Sequence, residues 1–115
     1  MKETETCYTV GEISALTGVT RKTLFYYDRT GLLKPVQRTG SQHHKLYNND
    51  SLMKLRKIIE YREAGLSIAE IRTLVNDPDC DTKKILYTAL ERIRAQKTQK
   101  EEEIAKLLTM IERLP

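Results

Sequence analysis

Within one short stretch stand Thr20, Arg21, Lys22, Phe25, Tyr26 and Tyr27, two cations followed by three aromatic rings, and further along come Arg38 and Lys45. An arginine presents a fork of donors that fits the edge of guanine, and a phenylalanine can pack against the methyl group of thymine. A tyrosine can lay its ring in a domain and still donate its hydroxyl to a phosphate oxygen. The plainer alternative is a solvated basic pair beside a core aromatic. None of this is turnover chemistry: the sequence has no nucleophile elbow, no phosphate-cradling glycine loop and no paired carboxylates in an apolar setting. An enzyme is therefore not expected.

Charge points the same way. The chain of 115 residues carries 20 Lys and Arg against 16 Asp and Glu, a net +4. From Arg21 to Lys57 there are nine basic residues and two acidic ones, Asp28 and Asp50, so this stretch alone is +7 and the rest of the chain is −3. Excess charge gathered in one third of a chain reads as a docking surface for a polyanion such as double-stranded DNA.

Cys7 and Cys80 form no CxxC pair and have no histidine at ligand spacing, so neither a disulfide framework nor a zinc site is expected. His43 and His44 are neighbours whose side chains would point to opposite faces of a strand, with no third ligand near, so no metal is assigned to them. Cys80, flanked by Asp79 and Asp81, reads as a small hydrophobe at a hinge rather than an activated thiol. No cofactor is expected. The N-terminal Lys2, Glu3, Thr4 and Glu5 contain no signal region and no apolar run is long enough to span a bilayer, so no membrane association and a cytoplasmic location are expected.

The elements that must position these groups are readable in outline. Val10, Ile13 and Leu16 recur at helical spacing up to Gly18; Val19 offers an apolar plug; Thr20 can cap a second helical run, Thr23 to Tyr27, that stops before Gly31. Two short helices joined by a glycine-containing turn make a helix-turn-helix. Lys34-Pro35 forbids helix, and Thr39-Gly40-Ser41 is turn chemistry ahead of Lys45-Leu46-Tyr47, which predicts a two-stranded hairpin, or wing, carrying Arg38, His43, His44 and Lys45. Asn48, Asn49 or Asp50 caps a third helix with Leu52, Leu55, Ile58 and Ile59 inside, ending at Gly65. Ser67 to Glu70 is a capping box for a fourth, with Ile68, Ile71, Leu74 and Val75 inside and Asn76-Asp77-Pro78 as its stop.

From Leu86 the positions Leu86, Leu90, Ile93, Lys97, Lys100, Ile104, Leu107, Ile111 and Leu114 step by four and three without a slip. Seven of these nine are apolar, which is a heptad seam. With Asp81 or Thr82 as cap, one helix of roughly 45 Å is predicted. Residues 82–100 are net +5 and residues 101–113 net −2, so antiparallel pairing of two copies sets basic against acidic halves and brings Lys97 and Lys100 near the two-fold axis. The expected fold is mainly α: a winged helix-turn-helix domain over residues 1–76 with a small hairpin wing, a hinge over 77–82, and a long coiled-coil helix over 83–114 that dimerises through Leu86, Leu90, Ile93, Ile104, Leu107, Ile111 and Leu114.

The run Tyr8-Thr9-Val10-Gly11-Glu12-Ile13, then Thr17-Gly18-Val19-Thr20, Thr23-Leu24, Tyr26-Tyr27-Asp28, Gly31-Leu32-Leu33-Lys34-Pro35, Tyr47, Leu52, Leu55, Gly65-Leu66-Ser67 and Glu70-Ile71 resembles the MerR family of bacterial transcription regulators. The resemblance implies a homodimer joined by antiparallel long helices that binds a pseudo-palindromic promoter and distorts an over-long spacer so that RNA polymerase can use it. By position match, Arg21, Lys22, Tyr26 and Tyr27 fall on the recognition helix and Arg38 on the wing. The chain departs from the family pattern at Phe25, where arginine is usual, and at His43-His44-Lys45, where Gly-Tyr-Arg is usual, and its wing is slightly longer. Family members sense ligands through residues after the coil, so the resemblance allows either a portion of a longer sensor or a short regulator. The functional alternatives are an architectural DNA-bending or recombination-directionality factor, and a coiled-coil adaptor, against which the +7 stretch argues.

Overall fold

Capping side chains set most of the helix starts. In the computed structural model, which describes residues 6–40 and 44–115, the order is β1 (Cys7–Thr9), α1 (Val10–Thr17), α2 (Arg21–Thr30), β2 (Gln37–Thr39), β3 (His44–Asn48), α3 (Asn49–Glu63), α4 (Ile68–Asn76) and α5 (Thr82–Glu112). Thr9 accepts from the Glu12 amide at 3.2 Å while the Glu12 carboxylate accepts from the Thr9 amide at 3.0 Å, a reciprocal box that starts α1. Thr20 accepts from the Thr23 amide at 3.1 Å and starts α2. The chain turns between the two helices through Gly18, whose φ of 79° suits a residue without a Cβ. Asn48 and Ser67 cap α3 and α4 in the same reciprocal way, and Asp81 caps α5.

The wing is part of a three-stranded antiparallel sheet of order β1-β3-β2. Arg38 lies opposite Lys45 and Gln37 opposite Leu46, while on the other side of β3 Tyr8 lies opposite Tyr47. The expected hairpin is present; β1 was not expected. Helix α2 starts at Arg21 and runs to Thr30, longer at both ends than the run from Thr23 to Tyr27. Ser41 and His43, placed in the turn and wing tip by the sequence, lie outside the described residues, as do Lys2 to Glu5.

Ile13 of α1, Leu24 of α2, Tyr47 of β3, Leu55 and Ile58 of α3 and Ile71 of α4 are all fully buried, so every one of these elements presents one face to a single core. Leu32 and Leu33, in the link between α2 and the wing, are buried with them. Helix α1 ends before Gly18 as expected and meets the core through Ile13, while Leu16 is 52% exposed. Asn76 ties three elements together, taking a hydrogen bond from Lys54 of α3 and donating to the carbonyl of Gly31 at the end of α2 at 3.3 Å.

The chain divides into two compact units, residues 1–80 and 81–115. The second is α5, a helix of 31 residues. Its seam residues Leu86, Leu90, Ile104, Leu107, Ile111 and Leu114 are all exposed, and Ile93 is half-buried. Lys100 pairs with Glu103 within the helix at 3.1 Å. No helix among the described residues is long and apolar enough to cross a membrane.

Candidate nucleic-acid interface

Helix α2 is two-faced. Leu24, Tyr27 and Asp28 point inward and are buried, whereas Arg21, Lys22, Phe25, Tyr26 and Arg29 are exposed. The spacing of three and four residues along the outer set puts them on one side of the helix. Thr20, at its cap, is exposed and donates to the Thr23 hydroxyl at 2.9 Å. Lys22, Thr23, Phe25, Tyr26 and Arg29 line an open cleft of about 510 Å³ on this side. Three residues after Leu24, Tyr27 shares the inner face, and at 6% exposure its ring packs into the core, while Tyr26 is the outward tyrosine.

Two cations stand over the outward rings. The Lys45 ammonium lies 4.2 Å from the Phe25 ring centroid, and the Arg29 guanidinium lies 5.8 Å from that of Tyr26. A cation over an aromatic face is attracted by the negative face of the ring. Phe25 is not the core aromatic of the plainer alternative, because 43% of it remains exposed.

The heads of the wing cations Arg38 and Lys45 meet on Asp28. Arg38 donates through both terminal nitrogens to the two Asp28 carboxylate oxygens, at 2.9 and 2.7 Å. Lys45 Nζ lies 3.0 Å from Asp28 Oδ2. The hydrogen bonds from Arg38 hold the Asp28 carboxyl down at about 2, with Lys45 acting in the same sense and against the desolvation of the group. Arg38 is held above its ordinary value by the same carboxylate. Paired opposite strand positions on the wing thus converge on one anion of α2, leaving a net single positive charge. The Arg38 side chain keeps 43% exposure and that of Lys45 19%. Beneath them the Tyr47 hydroxyl is buried without a hydrogen-bond partner among the described residues, and burial pushes its acidity down to a pKa of about 12.

Arg21 lies against the first turn of α1. A Cβ at Gly11 would stand 2.8 Å from Arg21 Nη2, so the absent side chain gives the guanidinium its room. Thr9, Gly11, Arg21, His44 and Lys45 border a second open cleft, between the start of α1 and β3. Sequence reasoning placed the basic and aromatic residues of α2 but missed Arg29 and, above all, Asp28. The available signal was that Asp28 is one of only two acidic residues in the basic stretch from Arg21 to Lys57. Among the described residues no group of three or more His, Cys, Asp or Glu could hold a metal ion.

A helix-turn-helix with an exposed basic and aromatic second helix beside a sheet-borne wing is the geometry that family comparison bears out, for the model described as MerR HTH family regulatory protein matches residues 8–77. The chain belongs to this family. Among curated relatives, the HTH-type transcriptional activator TipA of Streptomyces coelicolor is 37% identical over 89 residues, which span 77% of this chain and 35% of TipA. This MerR-family chain thus spans about a third of the length of the curated relatives it matches. Two solved structures extend the likeness beyond the first unit. MtaN, the N-terminal part of the Bacillus subtilis multidrug transporter activator, matches with a TM-score of 0.78 at 28% identity, over 90% of this chain and 97% of that one. EcmrR, solved as a DNA complex in EcmrR-RPo, matches with a TM-score of 0.83 at 28% identity, over 91% of this chain and 38% of that one.

Proposed function

We propose that the chain is a sequence-specific DNA-binding transcription regulator that binds a pseudo-palindromic promoter as a homodimer and distorts the spacer DNA, acting with RNA polymerase in the cytoplasm. The observation that carries this reading is the outer face of α2, where Arg21, Lys22, Phe25, Tyr26 and Arg29 stand together on the second helix of a helix-turn-helix. Such a helix enters the major groove with its N-terminal residues toward the base edges. Thr20, Arg21, Lys22, Phe25, Tyr26 and, through its hydroxyl, Tyr27 are then the contact set, with Arg38 and Lys45 sharing their charge between Asp28 and the DNA backbone. EcmrR, whose solved structure holds DNA, supports the reading.

The homodimer rests on the exposed seam of α5 from Leu86 to Leu114. Antiparallel pairing of two such helices, with the basic segment of each against the acidic segment of the other, makes a rod of about 45 Å. Two recognition helices related by a two-fold axis read half-sites about 34 Å apart, and any misfit to straight DNA is taken up by bending or untwisting at a cost on the order of 1–6 kcal/mol.

The test is selection of a binding site from random duplex DNA, followed by footprinting and a salt titration. Two symmetric protected half-sites around a chemically hyper-reactive centre are expected. A dimer neutralising about eight phosphates gives a log-log salt slope near −7. A single asymmetric footprint would favour an architectural bending factor, and a failure to select any site would favour a coiled-coil adaptor.

A further inference from the structure

Phe25, Lys45 and Asp28 form a chain of contacts from the recognition face to the root of the wing. Lys45 Nζ stands 4.2 Å from the Phe25 ring centroid and 3.0 Å from Asp28 Oδ2. Asp28, with its side chain 8% exposed, is fixed in turn by the two hydrogen bonds from Arg38. Two consequences follow for what this position can recognise. The ammonium is already engaged by a carboxylate and a ring, so it is a poor donor to a guanine edge. The ring has one cation against its face and remains 43% exposed, bordering the same cleft as Lys22, Thr23, Tyr26 and Arg29. An exposed aromatic ring on the side of a recognition helix offers no hydrogen bond, and in the major groove the C5-methyl of thymine is the one apolar projection that a base pair presents.

We propose that Phe25 is a base-specificity residue that takes up a thymine methyl group on its exposed surface, and that Lys45, anchored by Asp28, is the positioning residue that fixes the ring. The inference rests on the DNA-binding reading above and deepens it by naming the base. Lys45 holds Phe25 in one rotamer from the wing side, so the ring meets the groove already oriented and the contact needs no ordering of a loose side chain. The wing thereby contributes to base readout without touching a base.

The experiment uses the full chain and a site selected with it, in which each thymine is replaced singly by deoxyuridine. That change deletes the methyl and preserves pairing. One thymine in each half-site is expected at which methyl loss weakens binding about fourfold, the size of effect that goes with losing one buried methyl contact. Phe25→Ala abolishes the thymine-to-uracil difference at that position, and Phe25→Leu keeps part of it. Lys45→Met, which retains the stem and removes the ammonium, shrinks the ratio. Thermal melting checks that each variant folds, and if Phe25→Ala does not fold, a smaller methyl effect in Phe25→Leu than in the parent carries the test. Binding with no methyl-sensitive position, or a methyl effect unchanged in the folded Phe25 variants, overturns the inference and leaves the DNA-binding reading standing. An unchanged ratio in Lys45→Met overturns the positioning role. Failure of the parent chain to select any site overturns the DNA-binding reading, and this inference with it.

Discussion

Arg38 grips Asp28 with both terminal nitrogens, at 2.9 and 2.7 Å, and so fastens the wing to the inner side of the second helix. A bidentate arginine-carboxylate pair restricts direction as well as distance. Because Lys45 occupies the opposite position on the neighbouring strand and reaches the same carboxylate, both strands of the wing are held. The orientation of the wing toward the outer face of α2 is therefore set by an ion cluster made wholly of this chain's own side chains.

Acid should loosen that cluster late and selectively. The folded-state pKa of Asp28, about 2, lies below its ordinary value of 3.8, so the stabilisation is fully present above the ordinary value and is lost as pH falls through the folded one. The shift corresponds to a contribution on the order of 2 kcal/mol. Urea unfolding at successive pH values from about 4 down to about 2 should show the parent losing more stability over that window than Asp28→Asn does. Parallel curves for the two proteins would mean that Asp28 is not the group responsible.

Tyr47 should behave in the opposite sense at the alkaline end. Burial is the main cause that raises its pKa from 10.0 to about 12, and the nearby Asp28 charge adds to it. The stability associated with the neutral hydroxyl is present below the ordinary value and disappears as pH rises through the folded one. Phenolate absorbance should therefore show one late step that is missing in Tyr47→Phe. Since the hydroxyl has no hydrogen-bond partner among the described residues, the same substitution is expected to be neutral or stabilising at neutral pH. A loss of more than about 1 kcal/mol would reveal a hydrogen bond to this hydroxyl.

The start of α4 depends on Ser67, whose hydroxyl accepts from the Glu70 amide at 3.1 Å while its own amide donates to the Glu70 carboxylate at 2.8 Å. Ser67→Ala should cost about 1 kcal/mol and Ser67→Asp much less. Thermal unfolding of the two variants decides it, because an equal cost for both would point to packing rather than capping.

For the seam of α5, the double substitution Leu107→Glu and Ile111→Glu places two charges where a heptad partner would sit. Sedimentation should give a dimer for the parent and a monomer for the variant at concentrations of order tens of micromolar. A parent that is monomeric there would remove the dimer from the proposed function.

What the sequence revealed and what it withheld divide along the range of the interactions. Caps such as Thr20, Ser67 and Asp81 act over three residues and were legible from residue type and spacing, as were the heptads of α5. The family resemblance carried by Tyr8 to Val75 corresponds to the matched residues 8–77. Strand β1 was not legible, since three residues are too few to show an alternation and a capping threonine follows at once. The burial of Leu32 and Leu33, in the link that leads into Lys34-Pro35, had no periodic pattern to announce it. The contact set on α2 was drawn from the start of the helix, so it omitted Arg29, about two turns further on. Asp28 was passed over for a different reason: nothing in a linear pattern says that the strands carrying Arg38 and Lys45 will bring both heads to one carboxylate.

Strand β1 also has a consequence in time. Tyr8 pairs with Tyr47 in the sheet, and the Tyr8 hydroxyl donates to Asn49 at 2.7 Å, 41 positions along the chain. On a translating ribosome adding about 5–20 residues per second, the first strand waits roughly 2–8 s before its partner has been synthesised. Helices α1 and α2, whose capping contacts span only three residues, can form within that interval. The sheet therefore closes only after β3 has been made, when the residues of both short helices are already in the nascent chain.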